Sequence, residues 1–523
     1  MPSHHWARSF AVAHDDIEYL MGLLLERETP LTVEDLAYAL IERRLQQEAA
    51  ALREKYKDVQ VYNPADSFKV GQRVMFPVLD YALGVVQDIR QGNNPDYGSF
   101  NVVKVELETE SSHQVREFVA EYPDHPLSRD FEGGSVLLPG ASDLTAEEIF
   151  SANRSRIIPI LEAALQNSDD LVSVAGRWFP RSLILDVNEG HLNLSEAVLD
   201  INSGGPLLTE QILEEIGGLG NAPQELQIFS MNSTLNQDER FDEVGAVDTV
   251  LWYLKRVEPP EVLSTPAYLR YVPQEYEAGL VTPEMQALEA EIDDEWSPIE
   301  SSDDQSAEVS ITLNYPHRRV GTLPLNARMR RIFPTARRTP RVWVTLVDGQ
   351  DGEEFDGWVV RQERYVFGLG KLYRKHKLPV GAILHVRPSE EAGKIVVDFN
   401  AHRPRTEYIR LIVPKNNQIT FEHDKRAIGA EYDDLMILGA DDLGAVDALF
   451  QTTQQTRKSL SSVLLTTLTE LSRFSPQGAV HAKTLYSAVN VVRRCPPGPI
   501  FAALITNVEF EHVGSNYWKL SAQ

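Results

Sequence analysis

The chain has 523 residues, 50 Lys+Arg against 77 Asp+Glu for a formal net charge of −27, and 42 % hydrophobic residues. One core rarely grows past ~250 residues, so three to five domains are expected. No stretch approaches the ~20 apolar residues of a membrane helix, and a single cysteine, Cys495, excludes a disulfide framework and a Cys-based zinc site. The first residues, MPSHHWARSFAVAHDD, lack the apolar centre of a signal peptide, and a reducing, cytoplasmic setting is expected.

The average charge conceals an asymmetry. From Arg318 to Arg410 there are 19 basic and 10 acidic residues, a net of +9, which leaves 31 basic against 67 acidic, or −36, elsewhere. A cationic segment in an acidic body often marks the part that meets a polyanion; the alternative is a solvated basic face with no ligand.

Taken in chain order, one phrase recurs three times. Apolar residues fall at identical offsets in Leu161, Leu165, Leu171, Val174; in Met231, Leu235, Phe241, Val244; and in Ile500, Leu504, Phe510, Val513. The step of four is helical, five mostly polar residues leave the helix, and the last residue opens a strand. A Gly-containing turn follows, then Trp178, Trp252 or Trp518 on a returning strand placed to cover the helix. Two short amphipathic helices precede the second copy (192–202, 206–217) and the third (462–474, 481–494). Helix, helix, helix and hairpin describe a winged helix. For the first copy the leading helices, 16–28 and 32–47, lie a hundred residues upstream, so an insertion is expected, with 1–58 and 140–182 framing a domain at 59–139. Its short strands and Gly and Asn-Pro turns predict a small β-barrel, and VGQRVMFPVLDYALGVVQDIR is similar to the KOW or Tudor type. Phe76, Tyr81 and Tyr97 are read as core rather than a stacking surface.

Residues 188–260 go further. The SEAVLD and LLTEQILEEI helices and LNQDERFDEVG followed by LWYL resemble the HARE-type winged helix found in the delta subunit of bacterial RNA polymerase. The resemblance covers about 60 residues and implies a transcription-linked, protein-binding module. Next comes an acidic stretch, 261–308, with ten acidic and no basic residues from 282 to 308, predicted to be a flexible linker able to cover the Arg-rich face.

Residues 309–425 reverse the composition: eight Arg from Arg318 to Arg341 with no carboxylate until Asp348, then the strand-like VWVTLVD, FDGWVVRQERYVFG, AILHVRP, KIVVDFN and YIRLIV. The Leu-Pro-Leu opening, Arg331 to Pro334, and FGLGKLYRKHKLPVGAILHV resemble the DNA-binding pseudobarrel of plant transcription factors and restriction-enzyme recognition domains. Leu372-Tyr373 stands where that family has Trp, and Ala382 where it has an acid. The resemblance implies duplex contacts from Arg328, Arg330, Arg331, Arg337 and Arg338, and from Lys371, Arg374, Lys375 and Lys377. In the C-terminal winged helix, 426–523, Lys483, Arg493 and Arg494 are further candidates, since guanidinium groups suit guanine edges and phosphates.

No motif for a reaction or cofactor is present. FGLGKL lacks phosphate-loop spacing, and Pro95-Asp96 with Glu106-Leu-Glu108 lacks the Lys of a metal-dependent nuclease. The expectation is an α+β multidomain, non-enzymatic protein without cofactor or metal, binding duplex DNA in a transcription-linked role. The alternatives are a protein-interaction scaffold, contacting RNA polymerase or another partner through its winged helices, and the specificity subunit of a DNA-targeting defence system.

Overall fold

A computed structural model describes residues 10–79, 81–94, 98–109, 112–129, 144–247, 249–299, 306–336, 339–391, 393–475 and 477–521. The chain is α+β and divides into two units, Met1–Leu185 and Asp186–Gln523.

In the first unit α1 (His14–Arg27), β1 (Leu31–Thr32) and α2 (Val33–Lys55) are followed, after an excursion, by α3 (Ala146–Gln166), β7 (Leu171–Val174) and β8 (Arg177–Pro180). Thr32 and Thr145 cap α2 and α3, each closing a box with the acid three residues on, Asp35 and Glu148. β1 pairs with β8 through Leu31 and Trp178, residues far apart in sequence, and the sheet order is β1-β8-β7. The excursion is a five-stranded sheet, β2 (Val59–Val61), β3 (Arg73–Phe76), β4 (Ala82–Gln91), β5 (Asn101–Thr109) and β6 (Ser112–Ala120), in that order. It curls until the Tyr62 hydroxyl donates to the Val119 carbonyl at 2.6 Å. Phe76 lies in its core, as expected, and Tyr81 is 36 % exposed; Tyr97 lies outside the described residues.

The second unit repeats the first unit's element order twice. The second copy is α4 (Glu189–Ile201), β9 (Leu207–Leu208), α5 (Thr209–Ile216), α6 (Gln224–Leu235), β10 (Phe241–Glu243) and β11 (Leu251–Leu254). Its sheet order, β10-β11-β9, matches the first copy, and Trp252 pairs with Leu207 as Trp178 pairs with Leu31. Gly205, at φ +120°, makes this fit: a Cβ there would lie 2.6 Å from the Trp252 carbonyl oxygen.

Between the second and third copies stands a seven-stranded curled half-barrel. Its strands are β12 (Val309–Thr312), β13 (Thr322–Pro324), β14 (Arg341–Asp348), β15 (Glu354–Val360), β16 (Tyr365–Phe367), β17 (Ile383–Pro388) and β18 (Lys394–Asp398), in the order β12-β17-β18-β14-β15-β16-β13. Strict alternation in β14 sends Val342, Val344 and Leu346 inward. Two short helices, α8 (Tyr315–Val320) and α9 (Gly370–Lys375), pack beside it.

The sequence reading placed 309–425 in one β unit, yet the sheet ends at Asp398. Beyond it runs a separate long ribbon, β19 (Ala401–Lys415) and β20 (Gln418–Ala430), turned at Asn416-Asn417, where both residues adopt positive φ. With β21 (Leu438–Ala440) it forms a sheet of order β20-β19-β21. Ile412, Ile419 and Phe421 send it into the core of the third copy. After α10 (Leu443–Gln455), that copy comprises α11 (Leu460–Ser472), β22 (Val480–His481), α12 (Ala482–Val492), α13 (Pro497–Thr506), β23 (Phe510–Gly514) and β24 (Tyr517–Leu520), with Trp518 opposite Val480. All the aligned apolar positions of the three copies are buried except Val513, 44 % exposed.

The acidic stretch departs most from expectation. Up to residue 299 it is built into the unit, not a free linker. Thr282 caps a helix, α7 (Pro283–Ile292), whose Met285, Leu288 and Ile292 join the C-terminal core, and Glu289, Asp293, Asp294 and Glu295 are all buried.

Candidate anion-binding face

Buried carboxylates need cations, and the acidic stretch takes them from the residues expected on DNA. The Arg494 guanidinium, in the loop after α12, donates to Asp294 Oδ1 at 2.7 Å and Glu295 Oε1 at 2.6 Å, all three side chains within 2 % of full burial. Tyr486 donates to Asp294 at 2.6 Å, and His317 Nε2 lies 3.2 Å from Glu295. Although burial alone would raise the Glu295 carboxyl, Arg494 and then His317 hold it down at about 2. Arg328 donates to Asp293 at 2.7 Å. Lys483, 5 % exposed, bridges Glu291 and Asp433 at 2.5 Å each. Every residue of α12 is buried, and Arg493 turns back to the Lys458 carbonyl at 2.5 Å. Arg328, Lys483, Arg493 and Arg494 therefore have structural partners; the acid-free sequence around Arg328, Lys483 and Arg494 concealed acids that the fold brings from elsewhere.

Lys371 and Lys375 are also matched. The Lys375 ammonium sits among Asp348, Asp351 and Glu353 at 2.8, 2.5 and 2.8 Å, and Lys371 reaches Glu353. Hydrogen bonds to Asp348, Asp351 and Glu353 push the Lys375 ammonium above its ordinary range. Those carboxylates have the spacing of a metal site, but a protein cation already lies among them. Arg330 donates to the Leu325 carbonyl and Arg331 is exposed; Arg337 and Arg338 lie outside the described residues. Arg361, which sequence reasoning missed, holds the Phe333-Pro334 corner by donating to both carbonyls, at 2.7 and 3.0 Å.

Arg374 and Lys377 differ. Together with Arg318 they line a cleft of about 610 Å³ between α8, α9 and the ribbon. Asn314 caps α8 by accepting from the His317 amide, and Gly321 ends it at φ +83°, where a Cβ would come within 2.7 Å of Gly370 Cα. That approach brings α8 against α9. Among the described residues no carboxylate pairs with Arg318, Arg374 or Lys377; the Arg318 Nε donates to the Leu378 carbonyl at 2.6 Å. Burial, with the neighbouring Arg374 guanidinium behind it, pushes Arg318 below its ordinary value. The other cations of the cleft are matched, Arg319 by Asp447 and Arg426 by Asp424 and Asp441. Val380, Ile409, Ile428 and Leu438 supply apolar wall.

The ribbon continues this unmatched charge. Between Ala401 and Arg405 the register slips against β20, and the resulting bulge leaves His402, Arg403, Pro404 and Arg405 exposed. Among the described residues neither Arg403 nor Arg405 has a carboxylate partner. Lys425 lies 4.9 Å over the ring of Tyr408, which is 67 % exposed. Sequence reasoning counted these two arginines in the basic segment without singling them out; the clue was HRPR, two arginines around a proline at a strand start.

In the second copy the Asp-x-Arg-Phe step has a structural task. Arg240 donates to Asp238 at 2.7 Å, to Asn193 at 2.7 Å and to Glu196 at 3.1 Å, tying the hairpin to α4. Of the nuclease-like acids, Glu106 accepts from Gln87 at 2.6 Å; Pro95 and Asp96 lie outside the described residues, and so does the side chain of Glu108. No helix among the described residues is long and apolar enough to cross a membrane. No family model, curated protein or solved structure matches the chain.

Proposed function

We propose that this is a duplex-DNA-binding regulatory protein whose contact surface is the bulged end of the β19–β20 ribbon, with Arg403, Arg405 and Lys425, helped by Arg330 and Arg331. The observation that carries the reading is selective neutrality. In a chain of net charge −27 the two most deeply buried cations, Lys483 and Arg494, find carboxylates, whereas Arg403 and Arg405 stand exposed on one two-stranded ribbon with none among the described residues. Exposed cations are stable in water without partners, and a group of them on one exposed ribbon is suited to phosphate contacts; a two-stranded ribbon also has the width to enter a major groove. The three recurring units have the element order of winged helices, and the resemblance of the second to the HARE type supports a transcription-linked role. In the third, the helix before the hairpin, α13, is uncharged and mostly buried, which favours scaffolding over groove reading. In the second, α6 bears Glu225 and no cation, which favours a protein partner such as RNA polymerase.

The test is fluorescence anisotropy of a labelled random-sequence duplex titrated with the full chain from 50 to 200 mM salt. Log K is expected to fall linearly with log salt at a slope of several units. Binding that is absent at the lowest salt, or flat across the range, removes the reading.

A further inference from the structure

The cleft beside the ribbon is a poor fit to a duplex and a good fit to something smaller. A volume of about 610 Å³ lies within the ~300–1,000 Å³ usual for small-molecule sites. Its chemistry is divided. Arg318, Arg374 and Lys377 bring three cations with no carboxylate partner among the described residues, while Val380, Ile409, Ile428 and Leu438 offer a branched aliphatic wall. The acid of the lining, Asp441, is engaged by Arg426. One further group is unspent: Tyr315, 3 % exposed and part of the lining, has a hydroxyl with no hydrogen-bond partner among the described residues, and a buried hydroxyl is rarely left so without an absent acceptor or donor.

We infer that this cleft binds a phosphorylated small molecule of nucleotide size, its phosphate held by Arg318, Arg374 and Lys377 and its flat or apolar body laid on the Ile409, Ile428 and Leu438 wall. Three cations match a phosphate dianion and exceed what one carboxylate needs. A bound phosphate would offset the repulsion between the neighbouring Arg318 and Arg374 guanidinium groups. Because Ile409, Arg426 and Ile428 belong to the ribbon and Arg318 and Arg374 to helices beside the half-barrel, the ligand would bridge the two.

The experiment is isothermal titration of the full chain with AMP, adenosine, ribose 5-phosphate and inorganic phosphate, in the absence of nucleic acid. A failure here is therefore distinct from a failure to bind DNA. AMP is expected to bind at least about tenfold more tightly than adenosine, the loss of a charge-assisted contact or more, and more tightly than either smaller phosphate. The R374A/K377A chain is expected to lose at least tenfold in AMP affinity, with single K377A, and a melting curve for each, separating lost contact from lost fold. Equal binding of AMP and adenosine would show that the cations are idle. Ribose 5-phosphate binding as well as AMP would show that the apolar wall is. Either result, no AMP binding at millimolar concentration, or full AMP binding by the folded double variant overturns the proposal.

Discussion

Arg494 and Arg374 are the same residue type, each in a cation-rich stretch of sequence, and the fold treats them in opposite ways. Arg494 is sealed with Asp294 and Glu295 at the meeting point of α7, α8 and α12; Arg374 stands exposed at a cleft with two other cations. The difference lies in what the rest of the chain supplies. A buried guanidinium costs several kcal/mol to desolvate and survives only where carboxylates and hydrogen bonds surround it. An exposed one needs no partner to be stable, so it stays available to a ligand.

Removing the sealed cation should have the largest consequence. In Arg494→Ala, Asp294 and Glu295 remain buried with Tyr486 and His317 but without their principal counter-charge, and the full chain should lose ~3–5 kcal/mol in urea unfolding. The pH dependence should change with it. The Glu295 carboxyl, held at about 2 by Arg494, contributes stability that is present above its unfolded value near 4.5 and is lost as pH falls toward 2. The variant should lose much of that acid-side slope. A chain that unfolds at the wild-type urea midpoint would mean that the acidic stretch is not the keystone of this unit.

A smaller effect is expected where the buried group is polar but uncharged. The Trp252 indole donates to Asn232 at 2.9 Å and Thr209 at 3.1 Å inside the second copy. Trp252→Phe keeps most of the apolar contact but removes the indole donor, leaving the pair only the bond Thr209 donates to Asn232, which should cost ~1 kcal/mol. Loss below ~0.5 kcal/mol in a melting series would show that the pair finds another partner.

Glu258 presents the same contrast from the anionic side. It is buried near Asp242, with Arg341 reaching both, and burial followed by Asp242 raises its carboxyl to about 8. The folded chain therefore keeps a proton that the unfolded chain releases above pH ~4.5, so stability falls as pH rises from there toward 8. Glu258→Gln removes that slope. It should raise the melting temperature at pH 8 and leave it nearly unchanged at pH 5; a rise of equal size at both values would rule out titration as the cause.

The sequence made the recurring units legible because their signal is local. A helical step of four, a polar gap, a glycine and a tryptophan fall within about twenty residues, and the tryptophans duly pair with the short strands at Leu31, Leu207 and Val480. In the first copy the two halves each carry an incomplete pattern, and the strand pairing of Leu31 with Trp178 joins them. What the sequence hid was long-range. Ten acids without a base from 282 to 308 look like solvated chain, and nothing local reveals that Arg328 and Arg494 lie on either side of them in space. The end of the half-barrel at Asp398 was equally hidden, because the β19 strand pattern reads alike whether it extends one sheet or starts another. Arg374 and Lys377 were named for their charge alone: the cleft they line exists only because the ribbon lies beside α8 and α9.

The smallest effect on stability should come with the clearest effect on function. Arg403 and Arg405 are exposed on the bulge and form no ion pair among the described residues, so R403A/R405A should unfold within ~0.5 kcal/mol of wild type, in contrast to Arg494→Ala. If both contact phosphates, the double variant should flatten the salt dependence of duplex binding by about two contacts, roughly 1.8 units of log K against log salt. If one of them instead reads a guanine edge, the loss should be ~1–3 kcal/mol on a preferred sequence and small on others, which a pool of random duplexes with sequencing of the bound fraction would resolve. Wild-type slope and wild-type site preference in the folded double variant would leave the bulge as ordinary solvated surface.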